Sequence, residues 1–452
     1  MQKQKIFIFL FTVLPLCVHA QQHAEQIDTN TAIFTLSQCI QYAAGHQPAL
    51  KQSQIDEKIT RTNNNIGLSG WLPQAGFNGT LQHYYDLPTS FFTNQSNPTG
   101  PKLPIHTGLF NTFNPQLNIT QNIFNSDVLY AANAVHLYTE QAKENSDATK
   151  ISLVSNVSKA FYDVLLTQQQ VYVLQDDTAR LNKNKDFTYN EYVSGVVDKV
   201  DYKQATISLN NTLAQLKTTE ESLNPKYAIL KQLMGFPEEK NFTVNFDTTL
   251  MLQEVTFDTT ELLNYNKRIE YQQLETAKRL QAALTNYYRY SMLPSVGAFY
   301  NYTWQYQNDR YSDLYQQSYP YSYIGLNFTF PIFQGFKRLE NIHKAKLQQS
   351  RQDWDMTNLK LGIYTEYKQA LANYKSSMYN LYTMEENKKL AREVYNIVQL
   401  QYREGIKNYL NVITAESDLH TAEINYLNAL FQLLISKIDL KRAMGDISVN
   451  IN

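Results

Sequence analysis

Val296-Gly297-Ala298-Phe299-Tyr300-Asn301-Tyr302-Thr303-Trp304-Gln305-Tyr306-Gln307 is the stretch that decides the fold. Val296, Ala298, Tyr300, Tyr302, Trp304 and Tyr306 occupy one phase of a two-residue repeat, and Asn301, Thr303, Gln305 and Gln307 occupy the other. Such alternation marks a strand whose two faces meet different surroundings. The polar phase carries amides and a hydroxyl but no charge, whereas a soluble sandwich puts Lys and Glu there. An apolar face backed by an uncharged polar one suits a wall between lipid and a water-filled lumen.

Three more segments share the pattern. Ala75, Phe77, Gly79 and Leu81 alternate with Gln74, Gly76, Asn78, Thr80 and Gln82. Leu117, Ile119 and Ile123 alternate with Asn118, Thr120 and Asn122. Ile324, Leu326, Phe328, Phe330 and Ile332 alternate with Gly325, Asn327 and Thr329. Strands are expected over 74–86, 112–124, 295–307 and 322–333, each about the ten residues of a tilted membrane-spanning strand. The 33 Tyr and 13% aromatic content exceed ordinary composition. Tyr84, Tyr85, Tyr302, Trp304, Tyr306, Tyr321 and Tyr323 lie toward strand ends, where an aromatic belt is expected. Four strands cannot close a barrel, and hydrocarbon does not tolerate open edges, so several copies must share one.

The unit is duplicated. Leu117-Asn118-Ile119-Thr120 recurs as Leu326-Asn327-Phe328-Thr329, Tyr192 with Gly195 as Tyr402 with Gly405, and Met234-Gly235 as Met444-Gly445. Repeat 1 is assigned to 21–235, an inter-repeat linker to 236–260 and repeat 2 to 261–452. Leu72-Pro73 matches Leu293-Pro294 at a larger offset, and the Pro-rich stretch Leu87–Phe110, read as a loop, takes up the difference.

Breakers are sparse elsewhere. No proline lies between Pro115 and Pro225, and none follows Pro331. This permits helices from about Ser126 to Ser194 and from about Phe336 to Glu404, each roughly 100 Å long at 1.5 Å per residue. Leu209, Leu216, Leu223 and Leu230 keep a seven-residue spacing, as do Leu419, Tyr426, Leu433 and Leu440. Heptads imply knobs-into-holes packing against neighbouring helices.

Lys3 and Lys5, the apolar run Ile6–Val18 and the small Ala20 form a signal peptide over 1–20. Leu16 is too large to precede a lipid-attached Cys17. The net charge of -1, with no basic block, excludes nucleic acid as a partner. Cys39 is left alone, a small apolar group rather than a disulfide or metal ligand. No nucleophile elbow, phosphate-binding loop or His-Glu-x-x-His occurs, so no enzyme, cofactor or metal is expected. Carboxylate pairs such as Asp176-Asp177 read as a solvated helix face.

Leu36-Ser37-Gln38 with His46-Gln47-Pro48-Ala49-Leu50, Trp71-Leu72-Pro73, Phe330-Pro331-Ile332-Phe333-Gln334-Gly335 and the Gly195 and Gly405 turns occur in one order. In these marks the chain resembles the TolC family of outer-membrane efflux proteins. The resemblance implies a membrane β-barrel joined to a long α-helical coiled-coil barrel. A homotrimer would supply twelve strands and a twelve-helix periplasmic tunnel. It implies an exit duct in the outer-membrane lipid of a Gram-negative cell, recruited by a periplasmic adaptor and an inner-membrane transporter of RND, ABC or similar class. Gly195, Val196, Val197, Gly405 and Ile406 would form the adaptor-contact tips. Asp201, with Tyr402 as its partner, would hold the pore aperture. Lys407 stands where some members have arginine, and Asn411 and Thr414 where some have acidic residues. A trimeric coiled-coil structural or adhesive protein is the alternative.

Overall fold

The structure is a computed structural model that describes residues 33–93, 99–245 and 262–447. The expected signal peptide lies outside the described residues, as does the linker from 246 onward. The chain runs β1 (Ile33–Phe34), α1 (Leu36–His46), α2 (Pro48–Ser69), β2 (Gln74–His83), β3 (Thr89–Phe92), β4 (Leu103–His106), β5 (Asn111–Phe124), α3 (Ser126–Val193), α4 (Lys199–Met234) and β6 (Thr243–Val244). The second half follows as α5 (Ile269–Tyr290), β7 (Ser295–Asn308), β8 (Ser318–Thr329), α6 (Lys337–Arg403) and α7 (Tyr409–Met444).

The four long strands form one antiparallel sheet in the order β2-β5-β7-β8. Two strands are edges, and β2 and β8 run in opposite directions, so β8 of one copy can pair antiparallel with β2 of the next. Pro115 lies inside β5, opposite Gly79 of β2, and the β5–β7 register skips Asn114 and Pro115, where the proline has no N–H to give. At the far end of the sheet Asn111 ties the strands together. It donates to the Asn308 and Asp309 carbonyls at 3.2 and 2.9 Å and meets His83 Nδ1 at 2.8 Å.

One expectation needs revision. The Pro-rich stretch Leu87–Phe110 is not all loop, since β3 and β4 pair within it as a hairpin of their own. Pro104 looks like a breaker in sequence, but a two-stranded ladder is all edge, and an edge accommodates proline.

The first long helix starts at a side-chain cap. Asn125 accepts from the Asp127 N–H at 2.8 Å to start α3, which then runs 68 residues without a breaker. α6 runs 67 residues. α3 packs along α4, and α6 along α7, with α7 also against α3. The main core joins Val157, Phe161 and Val164 of α3 to Leu230 of α4 and Leu433 and Leu440 of α7. Cys39 is fully buried within it, and desolvation pushes its thiol up to about 12, as an apolar filler requires. A smaller core of Ala205, Tyr395, Tyr402, Tyr409, Val412 and Leu419 lies near the far tips.

The two heptad rows are not equally covered. Leu419, Leu433 and Leu440 are buried, but Leu216 and Leu223 are only half-buried, because α7 sits between α3 and α6 while α4 has α3 as its main neighbour. Ile207, Leu213 and Ile229 of α4 and Leu361, Leu390 and Leu400 of α6 remain exposed in the single chain. These are apolar strips waiting for neighbouring helices.

Candidate aperture at the helix tips and the barrel wall

Each helix pair turns at a glycine with positive φ. At Gly195 (φ 77°) the Gly195 N–H bonds the Tyr192 carbonyl at 3.0 Å and the Val196 N–H bonds Glu191 at 2.8 Å. At Gly405 (φ 76°) the same pair recurs, Gly405 to Tyr402 at 3.0 Å and Ile406 to Gln401 at 2.8 Å. Both are Schellman ends, which satisfy the last carbonyls of a helix and require the left-handed conformation that glycine takes without strain. Asp198 and Asn408 then cap the returning helices α4 and α7. Val196 and Ile406 project from the two tips, both about 70% exposed.

The aperture residues are arranged differently from expectation. Tyr402 is buried, but its hydroxyl donates to Glu191 Oε2 at 2.5 Å, not to Asp201. Burial first, and then the Glu191 carboxylate, push the Tyr402 phenol well above its ordinary range, with Asp201 adding a smaller repulsion. Asp201 stands half-buried in the first turn of α4, its carboxyl raised by desolvation and then by Asp198. Lys407 is exposed and makes no ion pair within the protomer among the described residues. Asn411 and Thr414 lie exposed on one side of α7, their contacts being the Asn408 cap and the Leu410 carbonyl.

Higher up the same helices lies a cluster that sequence reading missed. Asp177, read as part of a solvated face, is only 2% exposed, and so is not solvated. It is ion-paired to Arg180 and 2.5 Å from His420 Nδ1 on α7. Glu416 is also buried, with Arg180 Nε at 3.8 Å and Asn184 Nδ2 at 3.4 Å. Desolvation pushes its carboxyl up to about 7 against the pull of Arg180, and Asp177 adds to the rise. Glu423, one heptad above Glu416, is buried and paired to Arg392.

Register sorts the wall residues, because antiparallel partners share a face. Phe77–Leu117–Tyr302 and Leu81–Phe113–Tyr306 form apolar rows, and Trp304 joins them with its ring 6.2 Å from Phe77 and 4.5 Å from Tyr302. Gly76–Asn118–Asn301 and Asn78–Gln116–Thr303 form the opposite, uncharged rows. Tyr302, Trp304 and Tyr306 thus lie on the apolar face, as a belt requires. Tyr321 and Tyr323 do not: they pair with Thr303 and Asn301 and belong to the polar face. Counting ring positions near strand ends lost the phase that alternation carries. Tyr84 and Tyr85 follow the end of β2, with Tyr84 N–H bonded to the Phe110 carbonyl at 2.7 Å.

The outer membrane efflux protein family model matches residues 39–236 and 268–446. The chain belongs to the outer membrane efflux protein family. Outer membrane protein TolC of Salmonella enteritidis is 22% identical over 443 residues, covering 91% of this chain and 82% of that protein. TolC of Vibrio cholerae is 21% identical over 337 residues, 74% of this chain and 76% of its own. Among solved structures, the Campylobacter jejuni CmeC outer membrane channel superposes with TM-score 0.70 at 16% identity over 91% of this chain and 85% of that one. The open-state Neisseria gonorrhoeae MtrE channel gives 0.70 at 19% identity over 91% and 88%. This efflux channel thus places its sheet in the outer membrane as an exit duct and extends its helices into the periplasm. No described helix is long and apolar enough to cross a membrane; the sheet is the element with a lipid-compatible face.

Proposed function

We propose that three copies close their sheets into one twelve-stranded barrel and their helices into a tunnel. The duct then conducts substrate passively from a periplasmic adaptor and an inner-membrane pump to the exterior. The observation that carries this is the sheet itself, with one apolar face, one uncharged polar face and two unpaired edges of opposite direction. Those edges cannot be left open in hydrocarbon, where each unsatisfied backbone group costs several kcal/mol. The exposed apolar strips of α4 and α6 need covering by the same neighbours.

The tip turns at Gly195 and Gly405, with Val196, Val197 and Ile406, offer the adaptor an apolar end. The Tyr402–Glu191 bond holds α6 to α3 just above them and keeps the aperture narrow, with Asp201 and Lys407 flanking it. Purification in detergent followed by sizing and planar-bilayer recording tests the reading. A trimer with stable single-channel conductance is expected, and a monomer that stays soluble without detergent would overturn it.

A further inference from the structure

The polar face of the sheet carries no carboxylate, amine, guanidinium or imidazole along the paired rows from Gln74–Thr120 to Gln82–Thr112 and across β7 and β8. Such a wall exerts little field on an ion, so whatever it holds must be held by contact. Contact surfaces are present. Tyr319, Tyr321 and Tyr323 fall two residues apart on this face, each about half exposed (50%, 49% and 48%). The Tyr321 and Tyr323 rings lie 6.4 Å apart with 8° between their planes.

Phe299 ends the row, its ring edge-on to Tyr323 at 6.0 Å. It lies across β8 at Gly325, where an added Cβ would come within 2.6 Å of the ring, so the glycine makes room for it. Amides flank the rings, with Gln116 donating to Asn301 at 3.2 Å. On the barrel reading, β8 meets the next copy's β2, whose polar face offers Gln74, Gly76, Asn78, Thr80 and Gln82, none of them aromatic.

We propose that Tyr319, Tyr321 and Tyr323, closed off by Phe299, form a stacking strip in the barrel lumen for uncharged solutes that present a flat apolar ring face with polar edges. The parallel Tyr321 and Tyr323 rings, with Tyr319 next in the same phase, let such a solute pass from one platform to the next, while neighbouring amides exchange hydrogen bonds with its rim. Sugars and neutral planar aromatics share this chemistry. The proposal rests on the barrel reading.

The test is planar-bilayer recording of the full-length channel with probes added on the barrel side: maltohexaose, caffeine, a polyethylene glycol of matching size and a sulfonated naphthalene. Maltohexaose or caffeine, or both, should block with dwell times about tenfold longer than the polymer, and which of them does so identifies the source. The doubly substituted Tyr321→Ala/Tyr323→Ala channel should still open in the bilayer but lose the excess dwell, and Tyr321→Phe/Tyr323→Phe should keep most of it. Equal dwell for ring and polymer, equal dwell in the alanine variant, or tighter block by the sulfonate overturns the strip. Absence of any conductance from the unmodified chain overturns the barrel reading instead.

Discussion

Replacing Glu416 by Gln tests the buried cluster beneath the sheet. The carboxyl is raised from 4.5 to about 7, chiefly by desolvation. A group whose folded pKa lies above its unfolded value is stabilising in its protonated form, so its contribution is complete below about pH 4.5 and is lost as pH rises through about 7. The shift corresponds to about 3 kcal/mol of local stability at each copy, or about a hundredfold in an opening equilibrium. Glu416 is almost fully buried, so little solvent screening reduces that figure.

Gln is nearly isosteric, and its amide carbonyl can still accept from Asn184, but it does not titrate. The assay is hydrogen exchange, corrected for intrinsic rate, on peptides covering 174–188 and 410–424 in the detergent-purified channel at pH 5 and pH 8. Wild type should lose protection in both peptides on going to pH 8 by up to that hundredfold, while Glu416→Gln should hold its protection. Asp177, His420, Arg180, Tyr395 and Tyr409 surround the group and keep their identity in the variant, so the two proteins differ only at the 416 carboxyl. An equal pH slope in the two proteins, or weaker protection in the variant at pH 8, would refute the assignment.

Three further outcomes are expected. Tyr402→Phe removes the donor to Glu191, a hydrogen bond to a charged group worth about 1.5–3 kcal/mol, and should raise single-channel conductance in planar bilayers. Gly445→Ala should lower the yield and thermal stability of folded channel much more than Gly405→Ala. Both glycines have positive φ (77° and 76°), but only at Gly445 does an added Cβ come within 2.6 Å of a backbone oxygen, that of Lys267. Leu117→Arg puts a charge on the lipid face at about 2–4 kcal/mol and should abolish membrane-assembled channel, while Asn118→Arg, one residue on, should assemble and shift ion selectivity toward anions. Membrane fractionation and reversal-potential measurement check that pair.

The wall was legible because a strand's period of two maps directly onto two solvents; the residues at 296–307 state their environment one by one. The long helices were legible from missing breakers. What escaped was the phase of Tyr321 and Tyr323, the β3–β4 hairpin, the partner of Tyr402 and the burial of Asp177. In the last two the signal was present but masked by residue type. Leu174, Asp177, Leu181 and Thr188 share one buried stripe of α3, and Glu191 continues it to the tip. On α7, Val412, Glu416, Leu419 and Glu423 do the same. A carboxylate on the core phase of a heptad is the feature to look for, not a carboxylate pair in sequence.

That stripe also bears on the proposed aperture at the tip. At mid-length the α3 seam is Val157, Phe161 and Val164, whose burial is non-directional and is lost only by separating the helices. Toward the tip it passes through Asp177, Leu181, Asn184 and Thr188 to Glu191, and there hydrogen bonds and ion pairs to His420, Glu416 and Tyr402 on α6 and α7 stand beside the smaller apolar core. Polar partners can be exchanged for other partners or for water at a net change of about 1.5–3 kcal/mol each where one is charged, whereas parting an apolar seam exposes its whole area. The helices are therefore held more firmly at mid-length than at the far end, which is the mechanical property that the proposed aperture requires.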